Sequence, residues 1–294
     1  MQVSGHTRLL ALFGYPIRHS GSPAMYNYSF ERLGIDYVYV CLDAQKEDMA
    51  RCFENVRKYD MPGGNITMPC KNIACQYMDE LSPAAELIGA CNTFVQKEGR
   101  ITGHNTDGIG FVRNLKEQGI DVKGKKMIVC GGGGAATAVQ CQCALSGAAE
   151  ILIFNKKDEF FARTQETAEK IMRRCPDCRV ACYDIDDTEA MTEKMQKADI
   201  FVNATVVGMK PMDDQSVVKD TAAFRPDLVV CDVVYNPIET RLLKEAKAAG
   251  CRTIGGKGML LWQGVEAFRL FTGQEMPVDE VKARFYPELM EGLC

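Results

Sequence analysis

The stretch Lys126-Met-Ile-Val-Cys130, followed by Gly131-Gly-Gly-Gly134-Ala135-Ala136, constrains the fold more than any other part of the sequence. A short apolar run meets four consecutive glycines and then a helical run from Ala135 to about Ser146. Gly131, Gly133 and Ala136 fit the spacing G-x-G-x-x-G/A at a strand-to-helix turn. Each small residue there serves a tight turn, a close approach of backbone to a diphosphate, or close packing of helix on strand. Four glycines alone would equally suit a flexible turn, so the surroundings decide. EILIFN, CRVACYD, ADIFVNA and DLVVCDVV follow as short apolar or β-branched runs, with an amphipathic helix over Phe160–Arg174 between the first two. Such alternation predicts a parallel sheet with helices on both faces. In that context the loop is a dinucleotide-binding turn, with Gly131, Gly132, Gly133, Gly134 and Ala135 presenting helix N-terminal amides to the diphosphate.

The end of the next strand selects between dinucleotides. A carboxylate there takes the ribose hydroxyls of NAD, whereas cations tolerate the 2′-phosphate of NADP. This chain offers Asn155, Lys156, Lys157 and Asp158, an amide, two cations and an acid within four residues. A solvated turn with Asp158 as helix N-cap is the plain alternative. The residue types leave NAD and NADP both open.

The first hundred residues alternate too. RLLALFG, YVYVCLD and GGNITMP read as strands, with helices over about Pro23–Leu33 and Lys46–Lys58, and CNTFVQKEGRITGHN reads as a hairpin turning at Lys-Glu-Gly. GGKGM near residue 255 leads into a further helix, MLLWQGVEAFRLF. At 294 residues the chain is long enough for two domains.

A net charge of −4 argues against nucleic acid or an anionic membrane as the main partner. The N-terminal apolar run is too short for a signal segment and reads better as a first strand. No stretch reaches the ~18 apolar residues of a membrane helix, so a cytoplasmic location is expected. Fourteen cysteines are scattered, many in apolar runs, and are expected to be reduced. Cys175-Pro-Asp-Cys178 looks like half a zinc knuckle, but Cys182 without a nearby histidine does not complete four ligands. No metal is expected, and these thiols are read as solvated groups near a helix end.

Five blocks then carry a family resemblance: Gly14-Tyr-Pro-Ile-Arg-His-Ser-Gly-Ser-Pro23, Gly64-Asn-Ile-Thr-Met-Pro-Cys-Lys71, Gly89-Ala-Cys-Asn-Thr93, Gly103-His-Asn-Thr-Asp107 and Gly258-Met-Leu-Leu-Trp-Gln263. In this order they resemble the shikimate dehydrogenase family over nearly the whole chain. The resemblance implies an α/β substrate-binding domain from residues 1–107 and 258–294, with a Rossmann-type doubly wound domain, 108–257, inserted between them and substrate in the cleft. It implies Lys71 and Asp107 as catalytic residues that also contact substrate, with Ser20, Ser22, Thr67, Asn92, Tyr235 and Gln263 as further substrate contacts. It also implies Val206, Val233 and Gly256 at the cofactor, and a monomer or homodimer, with the dimer preferred. Taken singly, Lys71 would suit a surface helix start and Asp107 an N-cap or Asx-turn. The chemistry supports the implied roles: oxidising a secondary alcohol requires moving its hydroxyl proton as hydride leaves, and hydroxyls and amides suit a polyhydroxylated acid.

Within the family, Asn155-Lys-Lys-Asp-Glu-Phe-Phe161, Val207-Gly-Met-Lys-Pro211 and Tyr235-Asn-Pro237 are similar to the quinate/shikimate dehydrogenase (NAD(P)+) branch. Thr67 instead resembles the strict shikimate branch, and Val206 stands where similar proteins carry a lysine. Shikimate and quinate are the implied substrates, and NAD or NADP the cofactor. A non-catalytic ligand sensor on the same scaffold would lack Lys71 or Asp107, or carry a DNA-binding segment. A redox or metal protein would show a second CxxC or a histidine cluster.

Overall fold

The computed structural model describes residues 3–159 and 161–290. In chain order its elements are β1 (Arg8–Gly14), α1 (Ser22–Leu33), β2 (Tyr37–Asp43), α2 (Met49–Lys58), β3 (Gly63–Ile66), β4 (Glu80–Leu81), α3 (Pro83–Ile88), β5 (Thr93–Lys97) and β6 (Arg100–His104). There follow α4 (Asp107–Glu117), β7 (Lys126–Cys130), α5 (Gly134–Leu145), β8 (Glu150–Asn155), α6 (Phe161–Arg174), β9 (Arg179–Asp184), α7 (Thr188–Met195), β10 (Ile200–Asn203), β11 (Val229–Asp232), α8 (Arg241–Ala248) and β12 (Arg252–Ile254). The chain ends in α9 (Gly256–Thr272), α10 (Val278–Phe285) and α11 (Pro287–Met290). Phe160, where the sequence reading starts its amphipathic helix, lies outside the described residues, as do residues 291–294.

Contacts divide the chain into two compact units, Met1–Thr106 with Gln263–Pro287, and Asp107–Trp262 with Glu288–Cys294. The first unit carries a mixed six-stranded sheet in the order β2-β1-β3-β5-β6-β4. β1 runs parallel to β2 and β3, whereas β5 is antiparallel to β3 and β6. The expected hairpin joins β5 to β6 through Glu98 and Gly99, both at positive φ, the two-residue geometry whose twist matches the strands. One face of the sheet buries Phe13, Phe53, Ile66 and Phe94 in a common core, where the Phe13 and Phe94 rings stack 5.8 Å apart.

The second unit holds the parallel sheet that the alternation predicts, in the order β12-β11-β10-β7-β8-β9. The first strand, β7, sits in the middle, with later strands added outward on each side. This is the doubly wound order, and its reversal point lies at the C-terminal ends of β7 and β10. Its strands are buried on both faces, as Met127 to Cys130 and Ile151 to Phe154 show, hence their continuous apolar character. β12 and the two-residue β4 do not stand out in the sequence. Each offers too few residues for a periodicity to register.

Candidate active site

The glycine turn is built by what surrounds it. Gly131 adopts φ +116°, and a Cβ there would lie 2.7 Å from the Ala204 carbonyl oxygen, so no other residue fits. Its amide donates to Phe154 O at 2.8 Å and its carbonyl accepts from Gln140 Nε2 at 2.9 Å. A Cβ on Gly132 would meet Asn155 Nδ2 at 2.5 Å and Thr164 Oγ1 at 2.7 Å. Gly133 and Gly134 differ: a Cβ on either meets nothing within 4 Å. The backbone is therefore held tightly from behind at Gly131 and Gly132, and stands open in front at Gly133 and Gly134, where α5 begins. That open surface of helix N-terminal amides fits a diphosphate. Ala135 is exposed beside it, and Ala136 is fully buried.

At the end of β8, Asn155 donates through Nδ2 to Thr164 Oγ1 at 2.9 Å, which ties the strand end to α6. Lys156, Lys157 and Asp158 are exposed. Val206 is 59% exposed, Gly256 packs beneath the Val233 carbonyl, and Tyr235 is exposed just beyond β11.

The loops carrying Val206 and Val233 share one anchor that the sequence reading did not identify. Asp232 is 2% exposed, and its carboxylate accepts from Asn203 Nδ2 at 3.0 Å, the Val234 amide at 2.9 Å and Thr240 Oγ1 at 2.7 Å. Asn203 also donates to Val207 O at 2.9 Å and accepts from Thr205 Oγ1 at 2.7 Å. Burial pushes the Asp232 carboxyl up to about 6, against the pull of its donors.

In the first unit, Thr67, Lys71, Asn92 and Gln263 are tied together around the ends of β3 and β5. The Thr67 amide donates to Phe13 O at 2.8 Å, and the Cys70 amide to Thr67 O at 2.9 Å, a turn that delivers Lys71. The Lys71 carbonyl accepts from the Cys91 amide at 3.0 Å, which pins it beside the residue preceding Asn92. Asn92 is buried; its Nδ2 donates to Thr106 Oγ1 at 3.0 Å and to Gln263 Oε1 at 3.5 Å. The Thr106 amide returns a bond to Asn92 Oδ1 at 2.8 Å, and its hydroxyl reaches Gln263 Oε1 at 3.4 Å. Asn65, held by the Tyr39 hydroxyl at 2.8 Å, donates to the Asn92 carbonyl at 3.2 Å. Three segments far apart in sequence thus meet in one cluster of amides and a hydroxyl. Ser20 accepts from the Ser22 amide at 3.2 Å at the start of α1. Asp107 is the first residue of α4, in the second unit. Thr106 lay inside a block singled out from sequence but was not named there; its 0% exposure is what marks it. His104, in the same block, is part-buried, and desolvation lowers its pKa.

Of the two thiols expected to be solvated, one is not. Cys175 is part-exposed, but Cys178 is buried and is not a solvated thiol. It lies in the turn between α6 and β9, where its amide donates to Cys175 O at 3.0 Å. Among the described residues no three His, Cys, Asp or Glu side chains cluster as a metal ion needs, and no helix is long and apolar enough to cross a membrane.

The family model of the shikimate dehydrogenase substrate binding domain matches residues 12–94, and that of the shikimate 5'-dehydrogenase C-terminal domain matches residues 256–284. The chain is 47% identical over 281 residues, 96% of each sequence, to the shikimate dehydrogenase (NADP(+)) of Listeria monocytogenes serotype 4b (strain F2365). The chain belongs to the shikimate dehydrogenase family. Its fold is similar to that of the Listeria monocytogenes family member solved with shikimate and NAD, with a TM-score of 0.95 and 46% identity over 97% of this chain and 99% of that one. It is also similar to the quinate dehydrogenase of Corynebacterium glutamicum solved with NAD, at TM-score 0.85 and 32% identity, covering 96% and 99% of the two chains. The family resemblance and the α/β architecture expected from the sequence are both found.

Proposed function

We propose that this chain is a dehydrogenase that interconverts shikimate and 3-dehydroshikimate with NADP or NAD, and quinate and 3-dehydroquinate at the same site. The observation that carries this reading is the Asn92–Thr106–Gln263 cluster. Its contacts to Gln263 Oε1, at 3.4 and 3.5 Å, are long enough for substrate hydroxyls to replace them at little cost. Ser20, Ser22, Thr67 and Tyr235 complete the donors and acceptors offered to the ring hydroxyls and carboxylate. The nicotinamide cofactor, when bound, accepts the hydride. Gly131 to Ala135 would hold its diphosphate, Asn155 to Asp158 its adenosine end, and Val206, Val233 and Gly256 the remainder. The exposed ammonium groups of Lys156 and Lys157 suit a 2′-phosphate without requiring one.

In the oxidative direction, Lys71 orients the reacting hydroxyl, and its proton passes to the Lys71–Asp107 pair as the C–H bond yields its hydride. In reduction the pair returns that proton to the new alkoxide. A cytoplasmic homodimer is the form in which the chain is proposed to act.

Absorbance at 340 nm with shikimate or quinate, and NAD or NADP, tests the reading in four combinations. Turnover of shikimate with at least one cofactor is expected. No turnover in any of the four overturns it, and turnover confined to shikimate removes quinate from the proposal.

A further inference from the structure

Two cysteines outside the proposed chemistry flank the backbone that carries it. Cys75 lies in the short 3-10 turn Ile73–Tyr77, and Cys91 in the segment leading into β5. Their sulfurs are 3.8 Å apart. Both also approach the Lys71 carbonyl, at 3.8 Å from Cys75 and 3.9 Å from Cys91. That carbonyl is the one held by the Cys91 amide at 3.0 Å. The two thiols and the Lys71 peptide therefore form one knot, and the next residue along is Asn92. Among the described cysteines no other pair shares a sulfur–sulfur hydrogen bond; Cys70, Cys178, Cys182 and Cys251 instead approach backbone carbonyls.

We propose that Cys75 and Cys91 form an oxidation site, closing to a disulfide with a peroxide and thereby slowing turnover. The effect on turnover rests on the dehydrogenase reading above; the disulfide itself does not. The sulfurs need to approach from 3.8 Å to about 2 Å. Cys75 is part-exposed and Cys91 fully buried, so the peroxide meets Cys75 first. The hydrogen bond shared with Cys91 lowers the Cys75 pKa, whereas burial raises every other described thiol that is not its partner.

The chemistry closes without further reagents. The Cys75 thiolate attacks one peroxide oxygen, the O–O bond breaks, and the departing hydroxide leaves as water after taking a proton. The Cys91 sulfur then displaces the hydroxyl of the Cys75 sulfenic acid as a second water, forming the S–S bond. Two thiols are oxidised, one peroxide is reduced, and two waters result. Bringing the sulfurs together draws Cys91 toward the turn and displaces the Lys71 peptide and Asn92.

The sequence supplies a direct readout, because no Lys or Arg lies between Asn72 and Gln96, and the tryptic peptide 72–97 contains Cys75, Cys91 and no other cysteine. The full chain is treated with hydrogen peroxide, alkylated and digested without reduction. The expected product is peptide 72–97 two hydrogens lighter and unalkylated. Shikimate turnover should fall at least about tenfold and return with dithiothreitol. Cys75→Ser, with Cys75→Ala as a second variant, should keep its activity under the same treatment. Full alkylation of both cysteines after peroxide overturns the proposal, as does equal inactivation of wild type and both Cys75 variants. A disulfide that forms with no change in turnover removes the functional consequence. A disulfide in a chain that never turns over shikimate supports the oxidation site and overturns the dehydrogenase reading instead.

Discussion

Asn92 and Thr106 are joined by two bonds in opposite directions: the Thr106 amide donates to Asn92 Oδ1 at 2.8 Å, and Asn92 Nδ2 donates to Thr106 Oγ1 at 3.0 Å. Both residues are buried, so the amide is locked in one orientation and each of its atoms is assigned. Thr106→Val keeps the shape and removes the hydroxyl that accepts from Asn92 Nδ2 and reaches Gln263 Oε1. It should cost about 1–3 kcal/mol of stability through the bond that Asn92 Nδ2 loses, and raise KM for shikimate more than it lowers kcat. Thermal unfolding and steady-state kinetics on the same sample test this. An unchanged KM would remove Thr106 from the substrate site.

Lys71→Ala and Asp107→Asn separate chemistry from folding. Proton transfer by a positioned side chain contributes about 100- to 10,000-fold, and each variant should lose kcat on that scale. Lys71 is only part-buried, so its removal should change stability by no more than about 1 kcal/mol. If unfolding and activity fall together, the residue supports structure and not catalysis.

The glycine turn makes opposite predictions two residues apart. Gly133→Ala meets no atom within 4 Å and should fold normally, yet its methyl group occupies the surface offered to the diphosphate. Affinity for NADP and NAD should fall at least about tenfold, measured by nicotinamide fluorescence titration of the reduced forms. Gly131→Ala instead collides with the Ala204 carbonyl at φ +116°, and should lower the melting temperature before any cofactor is added.

Asp232 should make stability depend on pH in a direction unusual for a carboxylate. Burial raises its folded pKa to about 6, above the ordinary 3.8, so the folded state binds the proton more tightly than the unfolded chain does. The stabilising contribution is fully present below about pH 4 and is lost as pH rises through about 6. The span is about 2 pKa units, or about 3 kcal/mol. Denaturant unfolding of wild type and Asp232→Asn from pH 4 to 7 reads the difference and cancels the contribution of His104. Wild type should gain on the variant as pH falls; a difference that is flat across this range would show that Asp232 does not titrate there.

Much of this protein follows from its residues in order. The apolar runs at 126–130 and 150–155 are buried on both faces of a parallel sheet, so their side chains need no alternation and the strands stand out. Gly131 is legible because only a residue without Cβ survives its turn, and Glu98-Gly99 because a two-residue hairpin demands positive φ. Such features are local, and local sterics write themselves into sequence. Thr106, Asp232 and the Cys75–Cys91 pair are not of this kind. A threonine after asparagine, an aspartate after an apolar run, and two cysteines sixteen positions apart carry no signal along the chain. Their meaning comes from burial and from partners brought together by sheet order: β5 beside β3 sets Asn92 against Asn65, and β10 beside β11 sets Asn203 against Asp232. Desolvation then decides what each polar group must bond to, and it depends on the packed core and not on neighbours in sequence.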